Sequence, residues 1–147
     1  MTTKLAEDMS ALAERYGVNA VYFFGSRAVE MASRLRGDQA VVEHPGSDVD
    51  VGVTFRDGAR PDLRGMIRLG MALEDILGVD RVDVVDVWRC DPFLAVDIVQ
   101  GERVYCRDED QEAETELHVL ARAGDLLPFQ RERIQRMLQP EADHVAG

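Results

Sequence analysis

The sequence is poor in cysteine and in positive charge, and it has no long apolar run. Its two cysteines, Cys90 and Cys106, lack the spacing of a metal site and are too few to stabilise a small secreted fold, so we expect a reduced, cytoplasmic protein. No segment has the apolar length that a membrane span needs, and the N-terminus has no uninterrupted apolar core of the signal-peptide type. We therefore expect no membrane association.

Positive charge is outweighed by negative charge, with 17 Lys and Arg against 28 Asp and Glu and a net charge of -11. A solvated acidic surface accounts for most of this excess, which would repel a phosphate backbone, so direct nucleic-acid binding is disfavoured. A small anionic ligand carried with a divalent cation, or a basic protein partner, fits better. The 147 residues suit one domain, which we place at residues 1–138, followed by a frayed tail at 139–147.

Hydrophobic periodicity predicts alternating helices and strands. The N-terminal segment has helical spacing between a Thr3 cap and a Gly17 stop, and SDVDVGVTF (47–55) alternates like a half-buried strand. Pro128 is expected to break the last helix in two. We predict an α/β fold, with a small mixed sheet of three or four strands backed by helices and the site at its open edge. Strands are predicted at 19–24, 48–55, 81–87 and, as an edge strand, 102–106; helices at 5–16, 29–35, 66–77, 92–100 and 112–138.

Two aspartates at the start of the second strand are the first candidate site residues. Asp48 and Asp50 are two residues apart, so their carboxylates project from one face, with Cα atoms roughly 6.5–7 Å apart. Such neighbours repel each other and raise each other's pKa unless a cation lies between them. Mg²⁺ is the expected cation, since it binds one or two carboxylates together with substrate phosphates.

The turn after the first strand is the candidate phosphate-binding segment. Gly25 lets the backbone approach a ligand, and Ser26 adds a hydroxyl and N–H groups at the start of a helix, which together make a cradle for a triphosphate. Arg27 could neutralise charge there. Asp83 on the third strand is the preferred third carboxylate, and three acids suit two metal ions about 3.5–4 Å apart. Asp86 is the second choice, because a regular strand places it on the opposite face from Asp83.

Together these residues resemble a known family. GSR after a strand, then SDVDVGV, then VDVVDV, and finally DPFLAVDIVQGERVYC, are similar to the minimal nucleotidyltransferases of the DNA polymerase β superfamily, over residues 1 to 138. The resemblance implies a polymerase β-type fold and transfer of a nucleoside monophosphate from a triphosphate, such as ATP, with two Mg²⁺ ions. It assigns Gly25 and Ser26 to phosphate binding and Asp48 and Asp50 to both metals. Asp83 becomes the acid nearest the acceptor hydroxyl.

The resemblance also implies a biological role. Members of this size often act as the antitoxin of a toxin–antitoxin pair and add AMP to a tyrosine of a basic, helical HEPN ribonuclease. Two alternatives stay open. One is a nucleotidyltransferase for small molecules of the antibiotic type, in which a homo-oligomer closes a shared cleft. The other is an inactive antitoxin that neutralises its partner by binding alone.

Two further segments have no assigned role. The stretch between the Gly-Ser turn and the two aspartates is longer than is usual in the family, and its insertion, around residues 31–44, could be a lid, a partner surface or an inert loop. The last predicted helix carries a basic run, for which a solvated helix face is favoured over a binding patch. This run consists of Arg131, Arg133 and Arg136.

Overall fold

The computed structural model describes residues 3–38 and 48–139, which form a four-stranded sheet and five helices. The sheet order is β3-β2-β1-β4, where β1 is antiparallel to β2 and β4, and β2 is parallel to β3. The predicted mixed sheet is therefore confirmed, with β4 at one edge. In chain order the elements are α1 (Lys4–Tyr16), β1 (Val18–Phe24), α2 (Ala28–Arg36), β2 (Val49–Phe55), α3 (Leu63–Leu77), β3 (Val82–Asp86), α4 (Pro92–Val99), β4 (Glu102–Cys106) and α5 (Glu109–Met137).

Local sequence signals set several helix ends. Thr3 Oγ1 accepts a hydrogen bond from the Ala6 backbone N–H, and α1 ends at Gly17, whose φ of 69° is the left-handed conformation that favours glycine. Asp91 caps α4, and Pro92 occupies its first turn, where a missing N–H costs no helical hydrogen bond. The predicted ends of these two helices are confirmed at these residues.

The core has two layers, one on each face of the sheet. Helices α1, α2 and α3 pack on one face through buried side chains that include Leu12, Met31 and Leu73. On the other face, α4 and α5 pack through Ile98 and Val119. The central strands β1 and β2 are consequently covered on both sides.

This double coverage corrects the prediction of a half-buried β2. Only Asp50 in that strand keeps partial exposure, and the residues after it are all buried. Gly52 is buried beneath the Ile98 side chain of α4, which lies so close that a Cβ on Gly52 would collide with it. Thr54 is buried because its hydroxyl donates to Glu112 of α5 at 2.7 Å. The face of β2 that carries Asp50, Gly52 and Thr54 is therefore part of the protein interior at every residue after Asp50.

The predicted break at Pro128 is also wrong, because α5 is one continuous helix from Glu109 to Met137. Proline removes one helical N–H and crowds the carbonyl four residues earlier, which here belongs to Gly124. Both positions are exposed, and a Cβ at Gly124 would meet no atom within 4 Å. Water can therefore solvate the Gly124 carbonyl, and the helix continues.

Two predicted segments lie partly outside the described residues. The insertion around residues 31–44 includes the end of α2, whereas residues 39–44 are outside the described ranges. Of the predicted tail at 139–147, only Gln139 is described. No helix within residues 3–38 and 48–139 is both long and apolar enough to cross a membrane.

Candidate functional site

The pairing of β1 with β2 brings the Gly-Ser turn to the aspartates. The strands are antiparallel and Phe24, the last residue of β1, is the register partner of Asp50 near the start of β2. Gly25 follows with a φ of 76°, and a Cβ on it would collide with Asp50 Oδ2. Only glycine lets the backbone turn so close to this carboxylate. The two motifs, far apart in sequence, are therefore in contact.

The pairing of β2 with β3 brings in the third acid. These strands are parallel, and Asp50 is the direct register partner of Asp83. Asp48 immediately precedes β2 at the same end of the sheet. The three predicted acids therefore lie together where β1 ends and where β2 and the edge strand β3 begin. Asp48 and Asp83 keep side-chain exposures of 42% and 44%, so they are open to solvent.

Repulsion among these three carboxylates contributes to the raised pKa of Asp50. Partial burial raises the pKa of Asp50, and the nearby carboxylates of Asp83 and Asp48 raise it further. Arg81 forms an ion pair with two of these acids: its Nε lies 3.3 Å from Asp83 Oδ1 and 3.6 Å from Asp48 Oδ2. Arg81 thus offsets part of the negative charge of Asp48 and Asp83, whereas the pKa of Asp50 remains raised.

The donor set fits a hard divalent cation in its chemistry. Carboxylate oxygens are the ligands that Mg²⁺ prefers, and Arg81 marks a place where positive charge is stabilised. Within residues 3–38 and 48–139, however, no three Asp, Glu, His or Cys side chains converge closely enough to hold a metal ion. To bind a metal ion together, the three acids would have to turn their carboxylates toward one another. For Asp48 and Asp83 this means turning away from Arg81.

The other predicted phosphate-binding residues continue directly from Gly25. Ser26 is exposed in the turn, and α2 begins at Ala28 without a side-chain cap on its first N–H groups. Arg27 is held by its own helix, because its Nε and Nη2 donate to Glu30 Oε2 at 3.0 and 2.6 Å. This pair is largely buried, so the positive charge of Arg27 is fixed beside the turn.

Asp86, the second choice for the third acid, lies in a different environment. Its Oδ2 accepts from Arg60 Nε at 2.6 Å, and its Oδ1 accepts from the Trp88 backbone N–H at 3.0 Å. Its register partner on β2 is Val53, toward the opposite end of that strand from Asp48. The side chain of Asp86 therefore ties the loop after β2 to the end of β3, away from the acids at the other end.

A cleft of about 1050 Å³ also lies at that opposite end of the sheet. The rings of Trp88 and His118 stack there with centroids 4.6 Å apart. Of its arginines, Arg60 is paired with Asp86, and Arg56 Nη2 donates to the Glu14 carbonyl at 3.1 Å. Since none of the described residues lining the cleft belongs to the predicted acid site, its size alone does not identify it as the reactive centre.

Sequence reasoning missed Arg81 and Glu30. Arg81 precedes Asp83 by two residues, so strand alternation could have placed both side chains on one face. Glu30 follows Arg27 by three residues, the spacing at which side chains meet on a helix. In both cases the signal was present, but simple charge counts do not distinguish such pairs from solvated surface residues.

Comparisons with known proteins bear on the family and the fold of this chain. Residues 7–110 match the family described as Polymerase beta, Nucleotidyltransferase. No curated protein is similar enough to this sequence to count as a relative. Among solved structures, a mutant MntA–HepT toxin–antitoxin complex contains a chain with 18% identity and a TM-score of 0.68, over 91% of this chain and 98% of that one.

Two further solved structures have the same fold. A toxin–antitoxin with AMP-PNP shows 20% identity and a TM-score of 0.66, over 91% of this chain and 98% of that one. A complex of tri-AMPylated Shewanella oneidensis HEPN toxin with MNT antitoxin shows 18% identity and a TM-score of 0.64, over 92% and 97%. These likenesses confirm the fold, and the match over residues 7–110 shows that the chain belongs to the polymerase β nucleotidyltransferase family.

Proposed function

We propose that this protein transfers AMP from ATP to a hydroxyl group of a partner protein, and that it acts as the antitoxin of a HEPN-type toxin. The observation that carries the proposal is the contact between the Gly25 turn and Asp50, with Asp83 in register beside it. A phosphate cradle and a group of carboxylates at one place are what nucleotidyl transfer requires.

The reaction is a displacement at the α-phosphorus of ATP. The acceptor oxygen forms the new P–O bond, the bond to the bridging oxygen of pyrophosphate breaks, and pyrophosphate leaves. Bound Mg²⁺ would neutralise the phosphates and make the acceptor hydroxyl more acidic. Asp48 and Asp50 would hold it, together with Asp83. We assign Asp83 to the acceptor side, where its exposed carboxylate can accept the hydrogen of the incoming hydroxyl.

The turn and the start of α2 hold the triphosphate in this proposal. Gly25 lets the turn lie against Asp50, so phosphates held at the turn would be next to the carboxylates, and the exposed Ser26 hydroxyl can donate to them. The uncapped N–H groups at the start of α2 add further donors. Arg27, oriented by Glu30, contributes positive charge beside the turn without having to reach the ligand.

A protein acceptor suits the openness of the site. Asp48 and Asp83 are solvent-accessible, and residues 48–139 supply no second lobe above them. The net charge of -11 favours a basic partner. The solved complexes support this choice, since one contains a tri-AMPylated HEPN toxin with its MNT antitoxin and another contains AMP-PNP. Both described cysteines are free thiols, which suits a cytoplasmic location.

The test is intact-mass analysis of a candidate HEPN-type toxin, such as one encoded by an adjacent gene, after incubation with this protein, ATP and Mg²⁺. We expect AMP-sized mass steps with the native chain and with Asp57→Asn, an exposed acid just beyond the other end of β2. We expect no step with Asp50→Asn.

Two other results would replace the proposal. Neutralisation of the toxin by native and Asp50→Asn protein alike, without a mass step, would indicate an inactive antitoxin that works by binding. AMP transfer to an aminoglycoside by the purified chain, with none to the toxin, would indicate a small-molecule enzyme.

A further inference from the structure

The outer half of α5 lies beyond the domain. The helix packs on the sheet through four buried residues, and after the last of them no described residue of the helix is buried. These residues are Glu112, Thr115, Val119 and Ala123. A helix of roughly 14 further residues, about 20 Å at a rise of 1.5 Å per residue, therefore projects without packing on its own domain.

One side of this helix carries regularly spaced apolar residues. Five apolar side chains, together with Gly124 and Arg131, occupy positions at alternating steps of three and four, the spacing of the contact face between two paired helices. Leu117, Leu127 and Leu138 are 69%, 38% and 78% exposed, so this face is open in the single chain. The α5 stripe is defined as Leu117, Leu120, Gly124, Leu127, Arg131, Ile134 and Leu138.

The stripe is complementary to itself when reversed. If two copies cross antiparallel at Leu127, the two Leu127 side chains meet and Gly124 of each copy faces Arg131 of the other. Gly124 leaves open space, since a Cβ there would meet nothing within 4 Å, and this space can accept the long side chain of Arg131. Asp125 stands beside Gly124 and offers its carboxylate to the guanidinium. The remaining pairs are Leu117 with Leu138 and Leu120 with Ile134.

Charge favours the same arrangement. The chain is acidic overall, and α5 begins with Glu109, Asp110 and Glu112 in its first turn. Its last part carries the basic run with Arg131 and Arg136. Antiparallel crossing at Leu127 places residues 131–136 of each helix opposite residues 118–123 of the other, within about one turn of Glu114 and Asp125. Two chains with a net charge of -11 would otherwise repel each other on contact.

The stripe is also remote from the acid site. Gln111 at the start of α5 donates to the Phe55 carbonyl at 3.0 Å, at the far end of β2 from Asp48. Further along, His118 stacks on Trp88, which follows β3. Contact along the stripe would therefore leave the three acids open to a nucleotide and an acceptor.

We propose that the α5 stripe is a two-fold interface between two copies of this chain. The occupant is a second α5 in antiparallel orientation, with Leu127 at the symmetry axis. In a two-fold interface, a contact between two different residues occurs twice, once in each direction. Gly124 of each copy therefore contacts Arg131 of the other. The proposal does not depend on the chain's catalytic activity or on a toxin partner.

Sedimentation velocity of the purified chain over a range of concentrations tests the proposal. We expect a dimer, and Leu127→Glu should weaken it at least about a hundredfold, because one leucine is lost from each copy. Phe129→Glu is the matched control. Phe129 is an apolar residue of α5 that is 69% exposed but lies on the other side of the helix, so its replacement should leave the dimer intact.

A charge exchange tests the register of the two helices. Arg131→Glu should weaken the dimer, and adding Asp125→Arg should restore it. Circular dichroism of each variant would show that the fold is kept. A native chain that stays monomeric, or a dimer that survives Leu127→Glu, would overturn the proposal. A monomer that binds the helical toxin through the stripe would also overturn it and would assign this face to the toxin.

Discussion

Acids beside the two ends of β2 have opposite surroundings. Near the start of β2, Asp50 has two further carboxylates as neighbours, Asp48 and Asp83. Toward the other end, Glu112 of α5 is fully buried and accepts hydrogen bonds from Asn19 and Thr54 and, at 2.5 Å, from the Tyr22 hydroxyl. The acids at the first position repel each other, whereas the acid at the second is surrounded by donors.

This difference distinguishes a binding site from a structural contact. A buried carboxylate whose oxygens are satisfied fixes the position of its helix, and Glu112 joins α5 to both central strands. In contrast, partly exposed carboxylates that face one another are destabilising until a cation arrives. The acids near Gly25 have the second kind of environment, and this is why we place the ligand there.

The largest effect is expected for Asp83→Asn. Loss of a metal-binding carboxylate removes several kcal/mol of transition-state stabilisation, so the rate of AMP transfer should fall by about a thousandfold or more. The free energy of unfolding should change little, because Asp83 is nearly half exposed. Transfer rates and denaturant unfolding curves measure the two effects. Transfer at the native rate would remove Asp83 from the site.

Glu112→Gln should show the reverse pattern. The new amide group faces donors from Asn19, Tyr22 and Thr54, so at least one buried polar group loses its partner, at a cost of about 2–3 kcal/mol in unfolding free energy. Transfer per folded molecule should be unchanged. Glu114→Gln, an exposed acid on the same helix, is the control and should cost almost nothing. A fully stable Glu112→Gln protein would show that the network does not anchor α5.

Two glycine variants measure the contact of the turn with Asp50. Gly25 and Gly58 both have positive φ, at 76° and 74°, so alanine strains either backbone by about 1 kcal/mol. Only at Gly25 would the new Cβ meet another group, the Asp50 carboxylate, whereas Gly58 is open. We therefore expect Gly25→Ala to lower the unfolding free energy by about 1–2 kcal/mol more than Gly58→Ala. Equal losses in denaturant unfolding would contradict the contact.

The pH dependence of stability tests the repulsion around Asp50. Burial and the neighbouring carboxylates raise the pKa of Asp50, so protonation of this group favours the folded state. The corresponding stability is fully present below the unfolded pKa and is lost as the pH rises through the folded pKa. Asp50→Asn, which is always uncharged, should therefore melt above the native protein at neutral pH without Mg²⁺.

This difference should narrow as the pH falls toward the ordinary aspartate pKa of about 3.9. Added Mg²⁺ should also reduce it, by stabilising the native protein alone. Asp57→Asn serves as the control for both titrations. A native protein that melts above Asp50→Asn in Mg²⁺-free buffer at neutral pH would show that the three carboxylates do not repel one another.

The smallest effect is expected for Arg81→Gln. Exposed ion pairs contribute roughly 0–1 kcal/mol, so the melting temperature without metal should fall slightly. Mg²⁺ should bind this variant more tightly, because the Arg81 guanidinium no longer competes with the ion for Asp48 and Asp83. Arg89→Gln, an exposed arginine beyond the other end of β3, is the control for Mg²⁺ titrations. Weaker Mg²⁺ binding by Arg81→Gln would instead make Arg81 a part of the ligand site.

Much of this site could be predicted from local sequence. The alternation of SDVDVGVTF places Asp48 and Asp50 on one face, and Gly25 after an apolar run indicates a tight turn. The meeting of these motifs depends on strand pairing between distant residues, and composition does not encode it. The register of Asp50 with Asp83 could be expected only by resemblance to the polymerase β family.

The wrong predictions have the same origin. Thr54 and Gly52 gave β2 a polar face, but Glu112 and Ile98 from later helices cover it. Pro128 predicted a break because the sequence does not show that Gly124 is open to water. Packing partners far along the chain decide the first case and the exposure of Gly124 decides the second, so single-segment patterns were insufficient.

Calorimetric titration of the protein with ATP, with and without Mg²⁺, tests the location of the site most directly. The single tryptophan, Trp88, lies in the cleft at the opposite end of the sheet and reports binding there by its fluorescence. We predict Mg²⁺-dependent binding that leaves Trp88 emission unchanged, is lost in Asp50→Asn and is kept in Asp57→Asn. ATP binding that survives Asp50→Asn and quenches Trp88 would place the nucleotide in the cleft and contradict this account.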